Sequence, residues 1–316
     1  MAKESAGTAN TLRKPVRKTK SLKLKSRTDC GGVRSRNQKF KSFKFYAGED
    51  VCKLIFWVRS CFGRTEFIKF KFLAVFMIEI SKRIEHLTDT IDSACARVGR
   101  DPGEVKLVVV TKSAAIDAVK EVVRLGLTDL GENRVQQLRR VSAQIAEFLE
   151  EAAEGSALPE KVNWHMIGHL QRNKVRNVLP VASLIHSVDT LRLAEEINTS
   201  AEKLNLCPEV LLQVNTSNEL QKYGVPVGAA THLAEQIETL PNLKLVGLMT
   251  MAPLTHNKDV VRACFVRARE LFIETQGEKI VGPQFTELSM GMSSDYEVAI
   301  EEGATILRIG SAIFAG

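Results

Sequence analysis

The chain has 316 residues, 44 Lys+Arg against 37 Asp+Glu, and a net charge of +7. No stretch approaches the ~18–20 consecutive apolar residues of a membrane span, and Cys30, Cys52, Cys61, Cys95, Cys207 and Cys264 form no CxxC pair, which argues against a metal module and fits a reducing cytoplasm. The charge is uneven: Met1–Phe76 holds 19 basic and five acidic residues, so residues 77–316 carry −7 and make a poor polyanion binder.

Taken from the N-terminus, "LRKPVRKTKSLKLKSR" (12–27) repels itself, offers no apolar period, and has the composition of a disordered arm. Residues 40–76 hold nine of the 14 phenylalanines without helical or strand periodicity. Three roles compete for residues 1–76: a nucleic-acid-binding arm, a targeting segment, or sequence ahead of the true start. The last is favoured because Met77 opens an amphipathic helix. Its stripe falls at 80, 84, 87, 91, 94, 95 and 98, and Gly99 ends it.

Residues 77–316 then alternate. Strand-like runs stand at 106–112, 128–133, 162–168, 183–189, 209–215, 243–251, 285–291 and 305–311, and a helix-period segment separates each from the next. Strand two, "TDLGEN", is the weakest. Eight strands over some 240 residues predict a single (β/α)8 TIM barrel, whose usual size is ~250 residues. An open doubly wound sheet has fewer strands and often a Gly-rich first turn, whereas "TKSAA" here has no glycine. The chain stops soon after strand eight, so the helix at 77–99 is expected to cover the place of a last helix.

In such barrels chemistry sits where strands end, and a phosphate site often forms after strands seven and eight. Strand seven ends "ELSMGMSSD" and strand eight "LRIGSA". Backbone N–H groups of Gly291, Met292, Gly310 and Ser311, with the hydroxyls of Ser289 and Ser311, suit a dianion. Lys112 ends strand one. Low-dielectric walls at the mouth would desolvate it and free an amine beside the phosphate site. Schiff-base chemistry needs that pair of features, whether with a phosphorylated sugar or with pyridoxal phosphate. Arg308 sits within the last strand, where a structural residue would be apolar. Its partner is a pyridine nitrogen, which it would keep unprotonated, or a carboxylate such as Glu132 or Glu287. His165 and His169 lack a third ligand, which argues against a metal.

The strings "VVVTKS", "LGENRVQQL", "WHMIGHLQRNKV", "IHSVDT", "LQVNTSNELQKYGV" and "LSMGMSSDYEVAIEEGATILRIGSAIF" resemble the YggS/PROSC family of pyridoxal phosphate homeostasis proteins, from about Met77 to Ala315. The arm has no counterpart there. The resemblance implies a barrel of the alanine-racemase N-terminal type with pyridoxal 5'-phosphate on Lys112 as a Schiff base. It implies Asn133 near the ring, Arg308 at the ring nitrogen, and Ser289, Met292, Gly310 and Ser311 around the phosphate. It further implies a cytoplasmic monomer that holds or delivers the cofactor, with PLP-dependent apo-enzymes as recipients and no robust turnover. A racemase of this type draws a catalytic tyrosine from an added β-domain, for which residues 77–316 leave no room. Weak racemase and Schiff-base aldolase remain the alternatives, and nucleic-acid binding rests wholly on the arm.

Overall fold

A computed structural model describes residues 64–316 apart from 153–157, 218, 220, 222, 278–279 and 316, with side chains from Met77 onward. The basic stretch at 12–27 and the part of the phenylalanine-rich stretch up to 63 lie outside the described residues, as do the roles weighed for them.

The eight expected strands are all present and all parallel. In chain order they are β1 (Lys106–Val110), β2 (Asp129–Glu132), β3 (Asn163–Met166), β4 (Ala182–Val188) and β5 (Glu209–Asn215), then β7 (Lys244–Met249), β8 (Glu287–Ser289) and β9 (Ile306–Ile309). The extra two-residue β6 (Val225–Pro226) pairs only with β5, outside the ring. Neighbours run β4-β3-β2-β1-β9-β8-β7-β5, and a β4–β5 pairing closes the cylinder. At the seam, Val108 lies opposite Arg308 and Val109 opposite Ile309.

Both faces of each strand are covered, which is why the runs read as nearly continuous apolar segments. Alternation along the strands still sorts them. Val108, Leu184, Leu211, Val246, Met249 and Ile306 form a small cluster of their own. Their neighbours Val109, Ile185, Leu212, Leu248 and Leu307 belong to the larger core under the helices. The small cluster is therefore the barrel interior, and even numbers on β1 and β9 face it. By the same pairing, odd numbers on β2 and β3 face inward, because Gly131 lies opposite both Val110 and His165.

The first helix, α1 (Arg64–Arg97), is already running at Arg64 rather than starting at Met77. Nothing in "EFIKFKFLAVF" breaks a helix: it holds neither glycine nor proline. Its expected stripe is buried at Ile80, Leu87, Ile91, Ala94 and Cys95, while Val98 is left exposed at the helix end. Arg83 donates to the carbonyls of Ile313 (3.3 Å) and Ala315 (2.9 Å), and Arg97 reaches Glu297 and Glu301. The helix thus covers the place a helix after β9 would take, as the sequence predicts. The helices between strands are α2 (Ile116–Arg124), α3 (Val135–Glu150), α4 (Val175–Val178), α5 (Leu191–Leu204), α6 (Val227–Glu238), α7 (Lys258–Gly277) and α8 (Tyr296–Glu301), and the single turn α9 (Ser311–Phe314) follows β9. Among the described residues no helix is long and apolar enough to cross a membrane.

Candidate functional site

At the C-terminal mouth, β1 ends in Thr111 and Lys112. Thr111 N–H still bonds the Gly131 carbonyl (3.0 Å), extending the ladder by one residue. Lys112 is the next residue, in the turn that follows, two positions beyond inward-facing Val110. It is exposed, so the barrel walls alone do not withdraw its amine from water, contrary to the sequence expectation. The strand has ended, and the turn lifts the residue to the rim.

The turn is anchored from behind. Thr111 Oγ1 donates to Glu132 Oε1 at 2.6 Å, and both residues are fully buried. Glu132 has the outward parity of Leu130, and burial pushes its carboxyl up, against the bonds from Thr111 and the Asn133 backbone and the charge of Arg140. It is a strut under the Lys112 turn and not a partner of Arg308. Glu287, the other carboxylate considered for Arg308, accepts from Thr305 (2.7 Å) and lies 3.5 Å from Lys106.

Arg308 itself is 4% exposed and points into the barrel. Its Nη1 donates to Ser289 Oγ (2.5 Å) and its Nη2 to the Thr250 carbonyl (2.8 Å). Among the described residues no carboxylate stands within ion-pair distance of it. Burial lowers its pKa to about 10, with only the more distant charge of Asp295 opposing. A buried guanidinium without a paired anion is costly unless some further acceptor meets it.

The turns after β8 and β9 lie together. Gly291 has φ +92, and a Cβ there would come within 2.6 Å of Ala299 Cβ, so only glycine fits. Gly310 carries a different constraint: its Cβ would meet the Val110 carbonyl at 2.7 Å. Glycine lets the last turn lie against the end of β1 and brings Ser311 toward the lysine strand. Ser293 Oγ accepts from the Ala312 N–H (3.2 Å), stitching the two turns. Met292 N–H is committed to Asp295 Oδ1 (2.5 Å), and Asp295 N–H to the Met292 carbonyl (3.0 Å). Burial pushes the Asp295 carboxyl up despite that bond and the charge of Arg308. Behind this loop, α8 is held by Arg262 to Glu301 and Glu302, and by Arg269 to Glu302. The expected phosphate residues therefore divide. Gly310 and Ser311 line an open rim, Ser311 opening a helical turn with an N–H that no helical carbonyl takes. Ser289 is wholly buried with its hydroxyl engaged, and Met292 contributes a bonded turn.

Asn133 stands exposed at the end of β2. Gly168, in the loop after β3, holds it there, since a Cβ on residue 168 would sit 2.1 Å from the Asn133 carbonyl oxygen. Backbone cannot retreat from such a contact cheaply. Gly168→Ala is therefore expected to lower stability by about 1–3 kcal/mol, measured by urea unfolding of the full chain.

Sequence reading missed His186 and Asp129, and the contacts that join them to His165 and Ser289. His165 and His186 lie 2.9 Å apart (Nδ1 to Nε2), Asp129 Oδ1 is 3.1 Å from His165 Nε2, and Ser289 Oγ is 3.0 Å from His186 Nδ1. The signal was present in "VNWHMIG" and "SLIHSVD": each run places one histidine amid residues that otherwise suit a buried strand. Among the described residues no cluster is arranged to hold a metal ion. Of the two body tyrosines, Tyr223 stacks on His169 at 4.2 Å, and Tyr296 is bonded to Thr90 on α1.

The family profile for the alanine racemase N-terminal domain matches residues 101–316. The pyridoxal phosphate homeostasis protein of Aquifex aeolicus is 41% identical over 233 residues, 74% of this chain and 96% of that protein. The protein of that name from Escherichia coli K12 is 36% identical over 240 residues, 75% and 97% respectively. Among solved structures, PipY of Synechococcus elongatus PCC7942 with PLP bound superimposes with a TM-score of 0.60 at 33% identity, covering 71% of this chain and 100% of that one. A Clostridium difficile alanine racemase at 12% identity (TM-score 0.55) shares the fold alone, over 56% of its length and 75% of this chain.

Proposed function

The chain belongs to the family of pyridoxal phosphate homeostasis proteins, built on the alanine racemase N-terminal domain, and from that premise we propose that it binds pyridoxal 5'-phosphate and serves intracellular PLP homeostasis, holding the cofactor and passing it on. The observation that carries the proposal is Arg308, a guanidinium enclosed at the barrel's heart with two hydrogen bonds and, among the described residues, no carboxylate paired with it. A ring nitrogen is the acceptor such a group lacks.

When bound, the cofactor supplies an aldehyde that a primary amine takes up covalently and a ring that withdraws electrons. Lys112 is the amine, set at the mouth by the Thr111–Glu132 strut. Arg308 would donate toward the ring nitrogen and disfavour its protonation, which would weaken electron withdrawal and with it any turnover. Gly310 and Ser311 would offer backbone and hydroxyl donors to the phosphate, and Asn133 would border the ring. Ser289 acts indirectly by holding Arg308, and Met292 shapes the phosphate turn through Asp295.

The tyrosines support holding over racemisation. Tyr223 is 58% exposed against His169, and Tyr296 belongs to the helix layer. Neither is placed beside Lys112 as a second acid or base, and the protein is read as a non-enzymatic cytoplasmic monomer whose recipients are PLP-dependent apo-enzymes. The test uses the full chain loaded with PLP and freed of excess by gel filtration. Restored activity in an added apo-aminotransferase, with no racemisation of L-alanine above a protein-free control, is the expected result. Racemisation that disappears in Lys112→Ala would overturn the non-enzymatic reading, and a chain that retains no cofactor would overturn the whole.

A further inference from the structure

The buried polar groups beneath Arg308 form one continuous chain. Arg308 Nη1 donates to Ser289 Oγ at 2.5 Å, Ser289 Oγ lies 3.0 Å from His186 Nδ1, His186 Nε2 lies 2.9 Å from His165 Nδ1, and His165 Nε2 lies 3.1 Å from Asp129 Oδ1. Five residues from β9, β8, β4, β3 and β2 thus cross the barrel interior. Ser289 and His186 are fully buried, His165 is 2% exposed, and Asp129 keeps 20% of its side chain in solvent.

The inventory of donors and acceptors gives this chain one direction. Arginine only donates, so Ser289 Oγ accepts from it, and among the described residues His186 Nδ1 is the one acceptor in reach of the Ser289 O–H. With the O–H turned there, that nitrogen is the bare one, and neutral His186 carries its proton on Nε2. It donates to His165 Nδ1, which leaves the His165 proton on Nε2, aimed at Asp129. A carboxylate only accepts. Cation and anion at the two ends therefore impose the same sense on every link, and no lone pair faces another. Bonds aligned head to tail polarise and strengthen one another. The electrostatics agree at His186 and at Asp129. Burial first, then the charges of Arg308 and Lys106, holds His186 well below the usual imidazole range, hence neutral. Burial raises the Asp129 carboxyl, but the hydrogen bonds from His165 and the Asn163 amide, with the charge of Lys106, act against it and the group stays ionised.

We propose that Asp129, His165, His186 and Ser289 are positioning residues for Arg308, a one-way hydrogen-bond relay that fixes the guanidinium's pose and brings the charge of a carboxylate at the start of β2, two strands away around the barrel, to bear on the cofactor's ring nitrogen. The proposal rests on the reading that this nitrogen lies at Arg308. The charged groups facing the relay are Lys106 on β1, Asp129 on β2, Arg308 on β9, Asp295 in the turn after β8, and Glu287 on β8, the last paired with Lys106. Asp129 is thus the relay's own source of negative charge, and it reaches Arg308 only through the two imidazoles and Ser289.

Two measurements test the relay. In the 15N-histidine-labelled full chain without cofactor, NMR at neutral pH is expected to find His165 and His186 both neutral with the proton on Nε2. A His186 protonated on Nδ1, or rings exchanging tautomers, overturns the one-way chain. The second uses PLP-loaded protein and the pH midpoint of its visible band. Asp129→Asn keeps an acceptor for His165 but removes the charge, and His186→Leu cuts the chain. Both are expected to move the midpoint down by about half a pH unit, because loss of a negative charge disfavours the protonated chromophore. His186→Gln preserves both polarities, with Oε1 accepting from Ser289 and Nε2 donating to His165, and should restore most of the wild-type midpoint. Should His186→Leu fail to fold, Asp129→Asn decides, since Asp129 is partly solvated and keeps its acceptor. A wild type that takes up PLP while the variants leave the midpoint unmoved overturns the relay alone. A wild type that takes up none overturns the reading of the site, and the relay's role with it.

Discussion

Lys112→Ala is expected to abolish the visible band of the PLP-loaded protein and to weaken cofactor binding by about a hundredfold, roughly 2.7 kcal/mol. The amine is the only group at the inner end of β1 able to bond an aldehyde carbon, with water leaving as the C=N bond forms. Removing it leaves the phosphate and ring contacts to hold the ligand alone. The fold should not register the change, because the residue is exposed and carries no hydrogen bond or ion pair among the described residues; exposed substitutions of this kind fall within about 0.5 kcal/mol. Lys112→Arg sharpens the test. Arginine keeps a cation at the rim but stays protonated and cannot bond the aldehyde. It should lose the band as fully as alanine does while retaining more affinity for the phosphate. Borohydride reduction followed by peptide mapping locates the adduct, and an adduct elsewhere, or a band that survives in Lys112→Arg, would sink the assignment.

The barrel was legible because its signal is periodic and distributed. Eight apolar runs, each followed by a helical stripe, survive errors of a residue or two at any one boundary. Even "TDLGEN" forms β2, since β1 and β3 on either side dictate its pairing. The helix at the N-terminus was placed correctly against the seam but begun too late, because Met77 marks the onset of the polar-apolar stripe and not the onset of helical backbone. At the site, position along a strand was easier to read than direction across it. Lys112, Gly310 and Ser311 stand at strand ends, where the sequence placed them, and Asn133, which the resemblance supplied, follows β2. Glu132 and Ser289 were misjudged in direction or depth: the former faces the helices and the latter faces the interior one layer below the rim. Parity alone would have corrected the first, as Glu132 sits one residue from inward-facing Gly131. The His165–His186 contact depends on the register of β3 against β4, which shifts between Trp164 and His165, and no local sequence pattern announces such a shift.

Arg308 tests the division between what holds the fold and what serves the ligand. Keeping a guanidinium charged where burial has lowered its pKa to about 10 corresponds to roughly 3 kcal/mol of native-state penalty at neutral pH. The sign follows from linkage: a base with a depressed folded pKa destabilises the native state while charged in both states, and that penalty is relieved only as pH climbs from about 10 toward the unfolded value. Arg308→Met fills similar volume without the charge. It forfeits the bonds to Ser289 and the Thr250 carbonyl, each net about 1.5–3 kcal/mol when the donor is ionised. The cofactor-free protein is therefore expected to unfold within about 1–2 kcal/mol of wild type, in either direction, as replacements of buried charges by apolar groups often do. Cofactor affinity behaves otherwise. Without a donor for the ring nitrogen, binding should fall at least about tenfold, or 1.4 kcal/mol, and the stabilisation that PLP confers on unfolding should shrink in step. Urea melts with and without PLP separate the two effects. Loss of several kcal/mol in the cofactor-free variant would mean that Arg308 is a structural keystone, and unchanged ligand-induced stabilisation would mean that it does not meet the ring at all.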